Sequence, residues 1–231
     1  MKRVNAIILV WIALGMSLAL AAEVSDIQPT KLMEARRALN AHHPDEALKL
    51  ADGVIAFYIE KYATESRTVY CSRSPTETVS YLLSAVKNNK NAVVGDIAWS
   101  DAYFVRAYAL LELRRQDDAR TSLEKALNLS PNNAQYIGEL AYIVQRQKHW
   151  QESLDLFARA EECAKTYSPE QTKISETTRA LRGEGFCLVE LGRLDDAVAK
   201  YQACLKLDPN DRSAREELGY VEKQKKIVGA H

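Results

Sequence analysis

From residue 30 onward, apolar residues recur at spacings of three and four, the period of an α-helix. One set recurs along the chain: Ala119, Leu123, Ala126 and Pro131, in steps of four, three and five. The same steps give Ala197, Tyr201, Cys204 and Pro209, and shorter versions give Ser153, Phe157, Ala160 and Ala47, Ala51, Val54. Twelve residues before the first member of each set stands another small residue: Ala107, Gly185, Ala141 and Ala35. Antiparallel helices approach closely only where small side chains face one another and larger ones fill the gaps. Small residues twelve apart, straddling a turn, therefore predict helical hairpins.

The turns sit at Arg114-Arg115-Gln116-Asp117, Gln147-Lys148 and Leu191-Gly192-Arg193. Between hairpins, Leu129-Ser130-Pro131-Asn132-Asn133 and Leu207-Asp208-Pro209-Asn210-Asp211 stop one helix and start the next. The pattern predicts helices over 30–41, 44–63, 75–94, 100–113, 117–129, 133–147, 150–166, 169–191, 195–207 and 212–227.

Ala119 and Ser153 are 34 residues apart, whereas Ser153 and Ala197 are separated by 44, so ten residues are inserted at 168–177. Ser168 and Pro169 in that insertion fit a helix cap followed by the first helical position, which predicts one long helix. Ser74 and Glu77 have capping-box spacing. Ala85 lies 34 residues before Ala119, which marks the helix beginning at Pro75 as the second half of a degraded repeat. Its first half is replaced by an irregular loop over 62–74.

The stretches AYFVRAYALLELRRQDDARTSLEKALNLSPNN and ALRGEGFCLVELGRLDDAVAKYQACLKLDPND resemble the tetratricopeptide repeat family. The resemblance covers 100–211 and extends more weakly to 30–61. It implies an all-α, right-handed superhelical solenoid of stacked hairpins with a concave groove, and protein or peptide binding rather than catalysis. On that reading 30–98 is a degenerate repeat region and 99–211 holds three repeats, at 100–133, 134–167 and 178–211. Residues 212–231 form a charged capping helix and tail, as the open end of a solenoid requires.

The N-terminus adds a compartment. Lys2 and Arg3 precede an uncharged run from Ala6 to Ala22, and Ala19-Leu20-Ala21 has the small-x-small form of a cleavage site. Residues 1–21 read as a secretory signal peptide followed by a linker at 22–29, with an uncleaved membrane anchor as the alternative. The expected location is the periplasm, or the inner membrane facing it. The 31 basic and 31 acidic residues balance, which argues against a generic nucleic-acid binder.

Export to an oxidising compartment draws attention to Cys71, Cys163, Cys187 and Cys204. The last three lie in helical patterns and are expected as buried thiols. Cys71, next to Ser72-Arg73, is either part of a contact loop or an exposed thiol of lowered pKa, which would support a thiol-dependent enzyme. His42-His43 lack further ligands at zinc-site spacing and read as a solvated turn. No phosphate loop, nucleophile elbow or His-Glu-x-x-His pattern occurs, and no cofactor is expected.

In the family the first helix of each hairpin faces the groove. Steps of four along it give Phe104 and Tyr108, Gly138 and Tyr142, and Arg182 and Phe186. Tyr108, Tyr142 and Phe186 each follow a small contact residue directly, and are expected to form an aromatic ladder for a partner. Arg146, Arg179 and Arg182 are the candidate grips for a carboxylate. The two-carboxylate clamp of chaperone-binding members needs Lys and Asn where this chain has Phe104 and Tyr108. The function expected is an exported scaffold that binds an extended segment or a helix within a cell-envelope assembly, or a membrane-tethered assembly factor if the N-terminal segment persists.

Overall fold

Small residues decide where the helices meet. In the computed structural model, which describes residues 27–228, the side chains of Ala107, Ala119, Ala126, Ala141, Ser153, Ala160 and Ala197 are buried, as is Gly185. The candidate signal segment 1–21 lies outside the described residues. The helices form four hairpins: α1 (27–40) with α2 (Pro44–Lys61), α4 (Ile97–Glu112) with α5 (Gln116–Leu129), α6 (Ala134–Arg146) with α7 (Trp150–Tyr167), and α8 (Glu170–Glu190) with α9 (Leu194–Leu207). A last helix, α10 (Arg212–Val228), packs on α9 through Ala214 and Val221. The array is an all-α helical solenoid.

Ser153 stands where the other repeats have Ala, and its hydroxyl donates to the Ala141 carbonyl of the facing helix at 2.8 Å. At Gly185 an added Cβ would lie 2.7 Å from the ring of Tyr201. The small residue thus makes room for the large one four positions beyond Ala197.

All four hairpin turns close in the same way. One residue takes a left-handed conformation: His42 (φ 58°), Arg114 (φ 60°), Lys148 (φ 62°) and Gly192 (φ 74°). The next amide then donates back to a helical carbonyl five residues earlier, as from Arg115 to Leu110 and from Arg193 to Leu188, both at 2.8 Å. This 6→1 bond satisfies a terminal carbonyl of the outgoing helix.

Two expectations are corrected between α2 and α4. The helix that begins at Pro75 (α3) ends at Lys87 instead of continuing to 94. Asn88 donates from its carboxamide to the Ser84 carbonyl at 2.7 Å, and Asn89 turns left-handed (φ 52°), which stops the helix. The following Ala92–Gly95 is a strand, β2, pairing in parallel with β1 (Thr68–Cys71), from Thr68 opposite Ala92 to Cys71 opposite Gly95. The stretch read as an irregular loop therefore contains a strand. The Thr and Val residues of both strands suit a pleated surface, but four residues are too few to show a period of two.

The second correction concerns the repeat. α2 packs directly on α4, so α3 is not half of a stacked hairpin. β1, α3 and β2 form an excursion from the solenoid. Ser130 holds it to the body, donating to the Cys71 carbonyl at 2.6 Å, with Ser100 Oγ 3.0 Å from the same hydroxyl.

The inserted residues 168–177 do extend α8 into one long helix, but the Ser168 hydroxyl does not cap its backbone. It donates to Glu176 Oε2 at 2.5 Å, and Glu176 also accepts from Arg73 at 2.7 Å. Ser74, the N-cap of α3, donates in turn to the Tyr167 carbonyl at 2.8 Å.

Candidate functional site

α6 and α8, the first helices of successive hairpins, pack side by side and leave two cavities between and beside them. The first, about 300 Å³, is lined by residues including Gly138, Thr172, Glu176 and Arg179. The second, about 250 Å³, has walls that include Tyr142, Arg179, Arg182, Phe186, Tyr201 and Glu217. Arg179 lines both. Four of the seven candidate residues thus come together at the second cavity: Tyr142, Arg179, Arg182 and Phe186.

Their states differ. Tyr142 is 42% exposed and Phe186 38%, with Trp150 packed 6.0 Å from the Phe186 ring. Both rings offer aromatic surface to solvent. The arginines are already engaged: Arg179 pairs with Glu139 and Arg182 with Asp211. Asp211 is in addition the cap of α10, accepting from the Ala214 amide at 2.9 Å. Tyr201 also lines this cavity, and its buried hydroxyl has no hydrogen-bond partner among the described residues.

The other three candidates do not join them. Phe104 is only 5% exposed, because Tyr136 of the next hairpin stacks on it at 4.9 Å. It belongs to the core and is withdrawn from the groove surface. Tyr108 lies edge-on against Phe104 at 5.0 Å, and its hydroxyl donates to the buried Glu139 carboxylate that Arg179 also binds. Burial and the neighbouring Glu139 push the Tyr108 hydroxyl pKa up, so it remains a donor. Arg146 lies at the far end of α6, lining a separate hollow with Leu111, Glu112, Arg114 and Gln116. The continuous ladder is therefore reduced to its second and third rungs. Sequence reasoning missed Tyr201 and Glu139; Tyr201 was legible as the large member of a repeat set, but nothing in the pattern marked its hydroxyl.

Cys71 is also corrected. It is fully buried, and burial pushes its thiol up to about 12, so it is not an exposed thiolate. Cys163, Cys187 and Cys204 are buried free thiols.

The profile of the tetratricopeptide repeat family matches residues 100–133 and 178–211, which take in most of α4 with α5, and the second part of α8 with α9. The chain carries tetratricopeptide repeats. Between the matched stretches, 134–167 folds as α6 and α7, a hairpin of the same build. The tetratricopeptide solenoid is similar to the pilF protein of Pseudomonas aeruginosa, with a TM-score of 0.61 at 14% identity over 88% of this chain and 72% of that one. It is also similar to MamA, residues 41 to the end, from Desulfovibrio magneticus RS-1, with a TM-score of 0.55 at 16% identity over 86% of this chain and 85% of that one. At such identities the likeness is one of fold. Comparison with curated proteins finds no match. Tetratricopeptide repeats are protein-interaction modules, and the chain is built as such a scaffold.

Proposed function

We propose that the protein is an exported scaffold, serving a cell-envelope assembly, whose cavity between α6, α8 and α10 receives an apolar or aromatic side chain of a protein partner. The observation that carries this reading is the pair of half-exposed rings, Tyr142 and Phe186, flanking a cavity that Tyr201 also lines. Rigid aromatic rings bury large area at low entropic cost and are the usual anchors of such contacts. Arg179 and Arg182 already hold carboxylates, so a partner carboxylate would have to exchange with Glu139 or Asp211. Affinity then rests on the rings. Export is supported by the Lys2-Arg3 start and the apolar run that follows.

The test is a photo-crosslinking residue at position 213, an exposed place in the lining of the same cavity, in cells that carry the native envelope. Tyr142→Ala and Phe186→Ala should each weaken partner capture at least about tenfold, the effect of losing an anchor worth about 2 kcal/mol. A folded double variant that captures the same protein at an unchanged level would remove this cavity from the function.

A further inference from the structure

α3 carries apolar residues on two opposite sides. Tyr81 and Ala85 face the body and are buried. On the other side Val79, Leu82, Leu83 and Val86 follow the i, i+3, i+4, i+7 spacing of a single stripe, and all four are exposed, Leu83 by 64% and Val86 by 72%. α3 pairs with no other helix to form a hairpin; it packs on β2 and touches the array at the end of α7 and at Asn132, which bonds Tyr81 and Ser80. At its foot lies an open apolar hollow of about 570 Å³ lined by Pro75, Val79, Leu83 and Tyr167 among others. A contiguous apolar face on a soluble array marks a contact surface.

The exposed charges of the segment between β1 and β2 have one sign. Between β1 and β2 the sole acidic residue is Glu77, which is fully buried against Arg73. Lys87 and Lys90, at the C-terminal end of the helix, are exposed and form no ion pair among the described residues. A second copy of the chain fits poorly. Antiparallel α3 helices would bring each pair of lysines to the other's N-terminus, where α3 itself offers no exposed carboxylate, and parallel helices would set lysine against lysine. An apolar stripe with a cationic end is instead what an interfacial helix presents to anionic headgroups.

We propose that α3 docks this protein on the surface of an anionic lipid bilayer, with Val79, Leu82, Leu83 and Val86 entering the interface and Lys87 and Lys90 meeting headgroup phosphates. The half-buried Tyr167 ring lies at the rim, the level at which aromatic residues with a polar tip reside. This docking is independent of the groove and of the fate of residues 1–21.

Because all four native cysteines are buried, Leu83→Cys supplies a single exposed thiol for a nitroxide label. The full chain carrying it is mixed with vesicles of phosphatidylglycerol and phosphatidylcholine, or of phosphatidylcholine alone. The label should become shielded from a water-soluble relaxation agent on the anionic vesicles only. Adding Lys87→Gln should weaken the shielding equilibrium about fivefold, the share of one lysine near a charged surface. A label that stays accessible on anionic vesicles, or is shielded equally on neutral ones, overturns the proposal. Shielding that rises with protein concentration without vesicles assigns the face to a second copy and overturns it too.

Discussion

Arg73 and Glu176, 103 residues apart, form a largely buried ion pair with Nη1 2.7 Å from Oε1. They come from the two places where the chain departs from its repeat: the segment before α3 and the insertion that lengthens α8. Arg73 also donates its backbone amide to Glu77 Oε2 at 2.6 Å, so one guanidinium and its amide serve two carboxylates. Removing one member of a buried pair leaves an uncompensated charge, which costs about 3–5 kcal/mol. Arg73→Ala should therefore destabilise the protein by that amount in urea or thermal unfolding. A cost below about 1 kcal/mol, within the range of exposed pairs, would show that the excursion is not fastened here.

The left-handed turn residues allow a gain instead. Lys148 and Arg114 hold the position that Gly192 occupies in the last hairpin. A side chain there costs about 1–2 kcal/mol, which glycine avoids. Lys148→Gly should raise the unfolding free energy by about 1 kcal/mol, while Gly192→Ala should lower it by a similar amount. Opposite signs would mean that these turns do not share one geometry.

Tyr108 separates packing from binding. Its hydroxyl donates to Glu139, which is buried and shared with Arg179. Tyr108→Phe should cost about 1.5–3 kcal/mol, the range for a hydrogen bond to a charged group. Partner capture by the folded variant should match the parent. A melting curve beside a binding curve decides this: lost binding with unchanged melting would return Tyr108 to the contact surface.

Glu184 gives a pH dependence. Lys200 bridges it to Glu161, with Nζ 2.6 Å from Glu184 and 2.8 Å from Glu161. Burial, then the hydrogen bond shared with Glu161, raises the Glu184 pKa above its ordinary 4.5. Glu161 moves the other way: burial opposes the shift, but hydrogen bonds from Glu184, Lys165 and Lys200 hold it low. Above pH 4.5 the folded state keeps a proton on Glu184 that the unfolded chain has released, so stability falls as pH rises towards neutrality. For Glu161 the stabilisation is lost as pH falls below 4.5. Glu184→Gln should abolish the upper slope, at most about 1.4 kcal/mol per pH unit for one proton, and leave the acid loss in place. Denaturant midpoints from about pH 2 to 8 cover both limbs, and an unchanged upper slope would place the proton elsewhere.

The hairpins, their turns and the small residues at their contacts were legible in the chain because they depend on local spacing. Twelve residues from Ala107 to Ala119 set a helix, a turn and a return, and the facing of small side chains follows from 3.6 residues per turn. The pairing of Thr68–Cys71 with Ala92–Gly95 was not legible, since its hydrogen bonds join segments about two dozen residues apart and neither strand is long enough to declare a period. The site divided in the same way. Tyr108 and Phe186 hold the same repeat position, each directly after a small contact residue, yet Tyr108 is held against Phe104 and Glu139 while Phe186 is half exposed beside a cavity. Position within a repeat is a property of the chain. Exposure depends on the neighbouring element, and only the stacking of hairpins, with α10 ending the array and the excursion at α3 leaving it, decides which side chains meet solvent.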